Sequence, residues 1–232
     1  MARYTSAYSE FVSRLDEVET LRQSAATKER KAPIELRGEI NALSRGAIVL
    51  LSGHMEAYIR ELGELALDSM TSKNVFRSQL TSRIYYHISK DILDEIRDTS
   101  DPEKIADKIF QFIDSDIEYW SKNGTFPQPI PVGRFNKGFN NPAYKKIVKY
   151  FNRFGYDSYR HDLVTRLRAN FDPTVNMVDQ LVDIRNKIAH GDPNASKTPG
   201  EVKAMMSIVR SFCRVTDTVF ATWWKNHYCG IR

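Results

Sequence analysis

The chain has 232 residues, 41% of them hydrophobic and 27% charged, with 11 glycines, 9 prolines and a formal net charge of +5. That is long enough to bury a sizeable core, and the composition is that of a globular protein rather than a disordered or collagen-like one. The longest aliphatic run, Ala47 to Leu51, is too short to cross a bilayer, and the opening MARYTSAYSEF lacks the apolar stretch of a secretory signal.

Two cysteines, Cys213 and Cys229, are too few for a disulfide framework, and no histidines and cysteines recur at zinc-site spacing. The expectation is therefore a cytoplasmic protein with reduced thiols, no metal, no cofactor and no membrane partner. A sequence pI near 9.1 tilts the choice of partner towards acidic molecules, nucleic acid among them.

In chain order, Tyr4, Tyr8, Phe11, Leu15, Val18 and Leu21 recur at steps of three and four, which predicts a helix over 4–26. After Pro33 a long helix is expected over 34–70, carrying Ile40, Leu43, Ala47, Leu50, Leu51, Met55, Tyr58, Ile59 and Leu62. A third is predicted over 73–97 through Phe76, Leu80, Ile84, Ile88, Ile92 and Ile96. Asp101-Pro102 reads as an N-cap with proline at the first helical position, opening a fourth helix that ends near Trp120.

Residues 121–142, with four prolines and three glycines, break the pattern. Helices resume at 143–153 and 159–169. Asp172-Pro173-Thr174 opens another over 173–190, and a last helix covers 198–225. No alternating strand and no internal repeat is present. The reading is an all-α fold, one domain over 1–232, with an irregular insertion between the fourth and fifth helices.

The helix at 173–190 ends in RNKIAHG, residues 185–191, with Gly191 and Pro193 as stop signals. With 19 arginines and 5 histidines in the chain, an Arg-to-His spacing of this kind is expected about once by chance, so only context gives it meaning. Asn186 and His190, four apart, share a helix face, while Arg185 points roughly 140° from His190. The chemistry suits phosphodiester cleavage. A histidine can take the proton of a ribose 2′-hydroxyl, or give one to the leaving oxygen. A permanently charged arginine can fork onto the phosphate and stabilise the charge of the transition state. Asn186 would fix the histidine ring or touch the phosphate. The competing reading is an ordinary capped helix end.

RNKIAHG, on the penultimate long helix of an all-α chain, resembles the Arg-x4-6-His motif of the HEPN superfamily, where a polar residue commonly follows the arginine. LSGHMEAYIREL, Leu51 to Leu62, resembles an early-helix segment of its RiboL-PSP-HEPN subgroup. NNPAYKKIVKYFNRFG, Asn140 to Gly155, resembles the segment ahead of the motif helix in standalone HEPN-like nucleases. The resemblance implies a HEPN-like helical bundle and a metal-independent endoribonuclease that leaves a 2′,3′-cyclic phosphate. It also implies a homodimer with two motifs on one cleft, and a role as a toxin or in antiviral defence against tRNA or other cellular RNA. By position, Arg185 and His190 would be the catalytic pair and Asn186 their polar support. An inhibitory partner such as a nucleotidyltransferase antitoxin follows from the same analogy.

Glu56 lies four before Arg60, which reads as an intrahelical ion pair; the family segment instead places it beside the cleft, orienting Arg185 or His190. In the insertion, Phe126, Arg134, Phe135, Lys137 and Phe139 interleave rings with cations. That pattern fits an RNA-contacting loop, or a loop pinned by its aromatics to the helices beneath. Lys145 extends the RNA-binding candidates Arg134 and Lys137 into the next helix. The tail residues Trp223, Trp224 and Tyr228 are expected to pack the last helix. Against the nuclease stands a rival of another class, a non-catalytic helical module that binds nucleic acid or a partner protein.

Overall fold

A computed structural model describes residues 4–232. Its first two helices form an antiparallel pair, α1 (Ser6–Lys31) and α2 (Arg37–Ser72). Ion pairs Lys28–Glu39 (2.5 Å) and His54–Glu17 (3.4 Å), with Arg14 on Glu61 further along, fix their register. At 36 residues α2 is the spine. Ile48, Leu51, Met55, Tyr58, Ile59 and Leu62 form its fully buried stripe. Two later helices, α9 (Phe171–Ala189) and α10 (Pro199–His227), lie against that spine, and α10 also packs on α1.

Buried Asp217 of α10 accepts both the backbone N–H (3.2 Å) and the hydroxyl of Thr5, the N-cap of α1. One carboxylate thereby ties the start of the chain to its last helix. Burial pushes this carboxyl up, against the pull of the Thr5 hydrogen bonds.

The predicted third helix is broken. α2 ends in a Schellman turn with Asn74 at φ 52° and the Val75 N–H on the Met70 carbonyl at 2.9 Å. A 3-10 turn (Arg77–Gln79), α3 (Ser82–Ile88) and α4 (Lys90–Asp98) replace the continuous helix. Tertiary contacts override the periodicity here. The Arg77 N–H donates to the Gly124 carbonyl at 2.9 Å, and its buried guanidinium donates to the carbonyls of Glu118 and Asn123. α5 (Pro102–Trp120) starts where Asp101 caps it, as its sequence predicts.

The insertion therefore follows the fifth helix, not the fourth, and is itself partly helical at α6 (Val132–Asn136). α7 (Tyr144–Asn152) and α8 (Tyr159–Leu167) follow. α9 begins at Phe171, out of a 3-10 turn over Arg168–Asn170, so Asp172 and Pro173 sit inside its first turn rather than capping it. Trp224 is fully buried with its indole N–H on Ser69 Oγ (3.0 Å), and Trp223 stacks on Tyr156 at 4.5 Å. The tail closes the bundle as predicted. No helix among the described residues is long and apolar enough to cross a membrane.

Candidate active site

Val178, Leu181, Val182 and Ile184 commit one face of α9 to the core, which leaves Arg185 and Asn186 half-buried at its edge. The helix ends in a second Schellman turn. His190 is the C-cap, and Gly191, at φ 82°, donates to the Ile188 carbonyl (3.1 Å) while Asp192 donates to that of Lys187 (3.0 Å). Glycine is needed here because an L side chain rarely adopts that backbone. Arg45 of α2 donates to the Asp192 carbonyl at 3.1 Å and braces the turn. This geometry leaves the His190 imidazole exposed beyond the last helical turn.

Arg185 is held on one side only. Its Nη1 donates to Asn141 Oδ1 at 2.5 Å and to Asn186 Oδ1 at 3.0 Å. Nε and Nη2 have no acceptor among the described residues, so the donors on the remaining edge of the guanidinium stay available for an anion. Asn186 thus orients the arginine, where the sequence reading gave it the histidine ring or the phosphate. Asn141, the last residue of the insertion but one, is fixed in turn by Glu56, whose Oε2 accepts its N–H at 3.1 Å. Glu56 Oε1 pairs with Arg60 at 3.0 Å, and Arg60 also donates to the Phe139 carbonyl. Both readings of Glu56 hold at once. It forms the intrahelical pair, and it reaches Arg185, though through Asn141 and not directly. Neither Glu56 nor Asn186 touches His190.

With that arrangement in view, the comparisons with known proteins decide the family. The model of the RiboL-PSP-HEPN family matches residues 9–222. The chain belongs to this family. It is a HEPN-domain family, which makes the protein a nuclease-like or nucleic-acid-related helical module. No curated protein and no solved structure gives a significant match.

The remaining residues of this HEPN domain divide differently from the sequence reading. Phe126, Phe135 and Phe139 are 5%, 0% and 2% exposed, so they anchor the insertion and offer no face to a base. Asn136 donates to Glu64 of α2 (2.8 Å) and accepts from Tyr150 (2.6 Å), while Arg153 donates to the Phe135 carbonyl (2.6 Å). Gly63 makes room for this, since a Cβ there would lie 2.0 Å from the Tyr150 hydroxyl oxygen.

Arg134 grips the buried carboxylate of Asp116 with both oxygens in range (2.9 and 3.1 Å). Burial opposes the Asp116 charge, yet hydrogen bonds from Ser89, Arg134 and Ser115 outweigh it and hold the carboxyl below its usual range. Lys137 pairs with Asp91 at 2.8 Å. Of the three RNA-binding candidates, Arg134 and Lys137 are thus tied down within the fold. Only Lys145, exposed on α7 with Lys149 one turn on, has no acidic partner among the described residues.

Asn141 and Arg45 were missed by sequence reasoning. For Asn141 a signal existed, because asparagine in an Asn-Asn-Pro turn is the residue type most tolerant of positive φ after glycine. For Arg45 there was none.

Proposed function

We propose that the protein is an endoribonuclease that cleaves by attack of a ribose 2′-hydroxyl on the adjacent phosphate. One observation carries this reading. In a HEPN chain, Arg185 is oriented from one side with its remaining donors unspent, and His190 stands exposed one turn further on. His190 accepts the 2′-hydroxyl proton as the 2′-oxygen bonds to phosphorus. Arg185 donates to the non-bridging oxygens as charge builds on them. The P–O5′ bond breaks, the 5′-oxygen leaves with a proton from a general acid, and a 2′,3′-cyclic phosphate remains on the upstream fragment.

One chain supplies one such histidine, and a two-fold axis beside the end of α9 would supply a second as the acid. A homodimer sharing one cleft is the form this mechanism favours. Mixing His190→Ala with wild-type subunits then depresses activity beyond simple dilution, whereas a fully active monomer removes the shared site. A role in toxicity or defence fits such an enzyme and follows from the family alone.

The direct experiment incubates the purified protein with total cellular RNA in EDTA beside a His190→Ala control. Cleavage by the first and none by the second supports the reading. RNA binding without cleavage would point instead to a non-catalytic binding module.

A further inference from the structure

Asn141 occupies an unusual position. It has φ 48°, a left-handed backbone conformation that costs a residue with a side chain about 1 kcal/mol or more, and it does so immediately before a proline. Three contacts hold it there. Its N–H is fixed by Glu56, its own carbonyl accepts the Ala143 N–H at 2.7 Å, and its side-chain oxygen accepts from Arg185 at 2.5 Å.

Glycine would fill such a turn with less strain. What asparagine adds is the amide oxygen, and that oxygen is spent on the arginine of the motif. Glu56 is itself anchored by Arg60, which also grips the Phe139 carbonyl two residues upstream of the turn. Both ends of the Asn141 segment are therefore tied to α2, so the amide oxygen is presented from a rigid support.

We infer that Asn141 is a positioning residue for the cleavage reaction, aiming the Arg185 guanidinium at the scissile phosphate, with Glu56 and Arg60 setting its backbone. This rests on the nuclease reading above. Asn141 touches no substrate; it acts by restricting Arg185 to the orientation in which Nε and Nη2 face outwards. A long arginine side chain otherwise samples many rotamers, and each must be excluded again when the transition state forms.

The test uses the full chain and an end-labelled single-stranded oligoribonucleotide of mixed sequence. Asn141→Gly removes the oxygen in a residue that accepts the backbone. Asn141→Asp keeps an acceptor at the same place. The expected result is a fall in kcat of about 10- to 100-fold for Asn141→Gly, the size of losing a hydrogen bond to a charged group, with the thermal midpoint close to wild type and KM little changed. Asn141→Asp should restore kcat to within a few-fold.

The cycle with Arg185→Ala separates positioning from general support. If Asn141 acts through Arg185, adding Asn141→Gly to Arg185→Ala costs nothing further, whereas independent losses multiply. Wild-type kcat in Asn141→Gly, or full additivity in the cycle, overturns the inference. Nuclear magnetic resonance of the Arg185 guanidinium gives a second measurement that needs no cleavage. Its slowed Nη rotation in the wild type should be lost in Asn141→Gly and kept in Asn141→Asp. If the wild type cuts no RNA, the nuclease reading falls, and this arm alone decides whether Asn141 holds the arginine. Unchanged Nη rotation in Asn141→Gly would then overturn the inference.

Discussion

The insertion and the end of α9 are both rich in cations, and they use them in opposite ways. In and around the insertion, Arg134 is spent on Asp116, Lys137 on Asp91, and Arg77 and Arg153 on backbone carbonyls. Its aromatics point inwards. At the end of α9, Arg185 uses one nitrogen and keeps the rest, His190 is exposed, and Lys145 lies nearby in sequence to the Asn141 turn with no acid beside it. Positive charge in a sequence is therefore no measure of positive charge on offer. What matters is whether the fold places an acceptor within reach, and that is decided by residues far away along the chain.

The sharpest division between the two regions should appear in catalysis. Arg185→Ala and His190→Ala are each expected to lower RNA cleavage by at least ~10²-fold with the fold intact by circular dichroism. No substitution confined to the insertion's own cations should approach that.

Stability divides the regions the other way. Gly63→Ala drives a methyl into Tyr150, the residue that anchors Asn136, and should cost about 2 kcal/mol or more by urea denaturation. Arg134→Ala leaves the buried Asp116 carboxylate without its cation. Since Arg134 is 47% exposed, the loss should be about 1–2 kcal/mol rather than the full cost of a dry pair, with RNA affinity unchanged. Conversely, Lys145→Ala with Lys149→Ala should leave the thermal midpoint alone. It should weaken RNA binding and make the log–log salt dependence shallower by roughly one. Equal effects of the two cation sets on RNA binding would erase the distinction between them.

The smallest effect concerns His87, whose ring lies 5.6 Å from that of Phe135 beneath the insertion. Burial, with the charges of Arg153 and Lys90, lowers its pKa from 6.5 to about 4. The fold therefore holds it neutral while the unfolded chain would protonate it. Its contribution to stability is present above pH 6.5 and is lost as the pH falls towards 4. His87→Phe should flatten the dependence of the thermal midpoint on pH across that window. An unchanged slope would mean that the ring is not shielded as described.

Most of the fold was legible because it is written in local periodicity. The stripes of α1, α2, α9 and α10, the Asp101-Pro102 start and the Gly191 stop all depend on residues within a turn or two. The broken segment after Ser72 was not legible, because Arg77 and Tyr85 answer to partners in the insertion and not to their own helix. The same limit applies at the site. Arg185, Asn186 and His190 stand out as a motif, and Glu56 through the family segment. Asn141 gains its place only when a left-handed turn some 40 residues upstream folds against the motif helix. The RNA candidates on the insertion misled for that reason too, since Asp116 and Asp91 are silent partners in a linear reading.

The central claim is that His190 and Arg185 direct a 2′-hydroxyl onto its neighbouring phosphate. The measurement that tests it most directly maps a cleavage site in an oligoribonucleotide, identifies the ends, and repeats the reaction with a single 2′-deoxy residue on the 5′ side of the cut. The account predicts a 2′,3′-cyclic phosphate facing a 5′-hydroxyl, and no cleavage at the deoxy position. Ends bearing a 3′-hydroxyl and a 5′-phosphate, or undiminished cleavage at the deoxy residue, would contradict it.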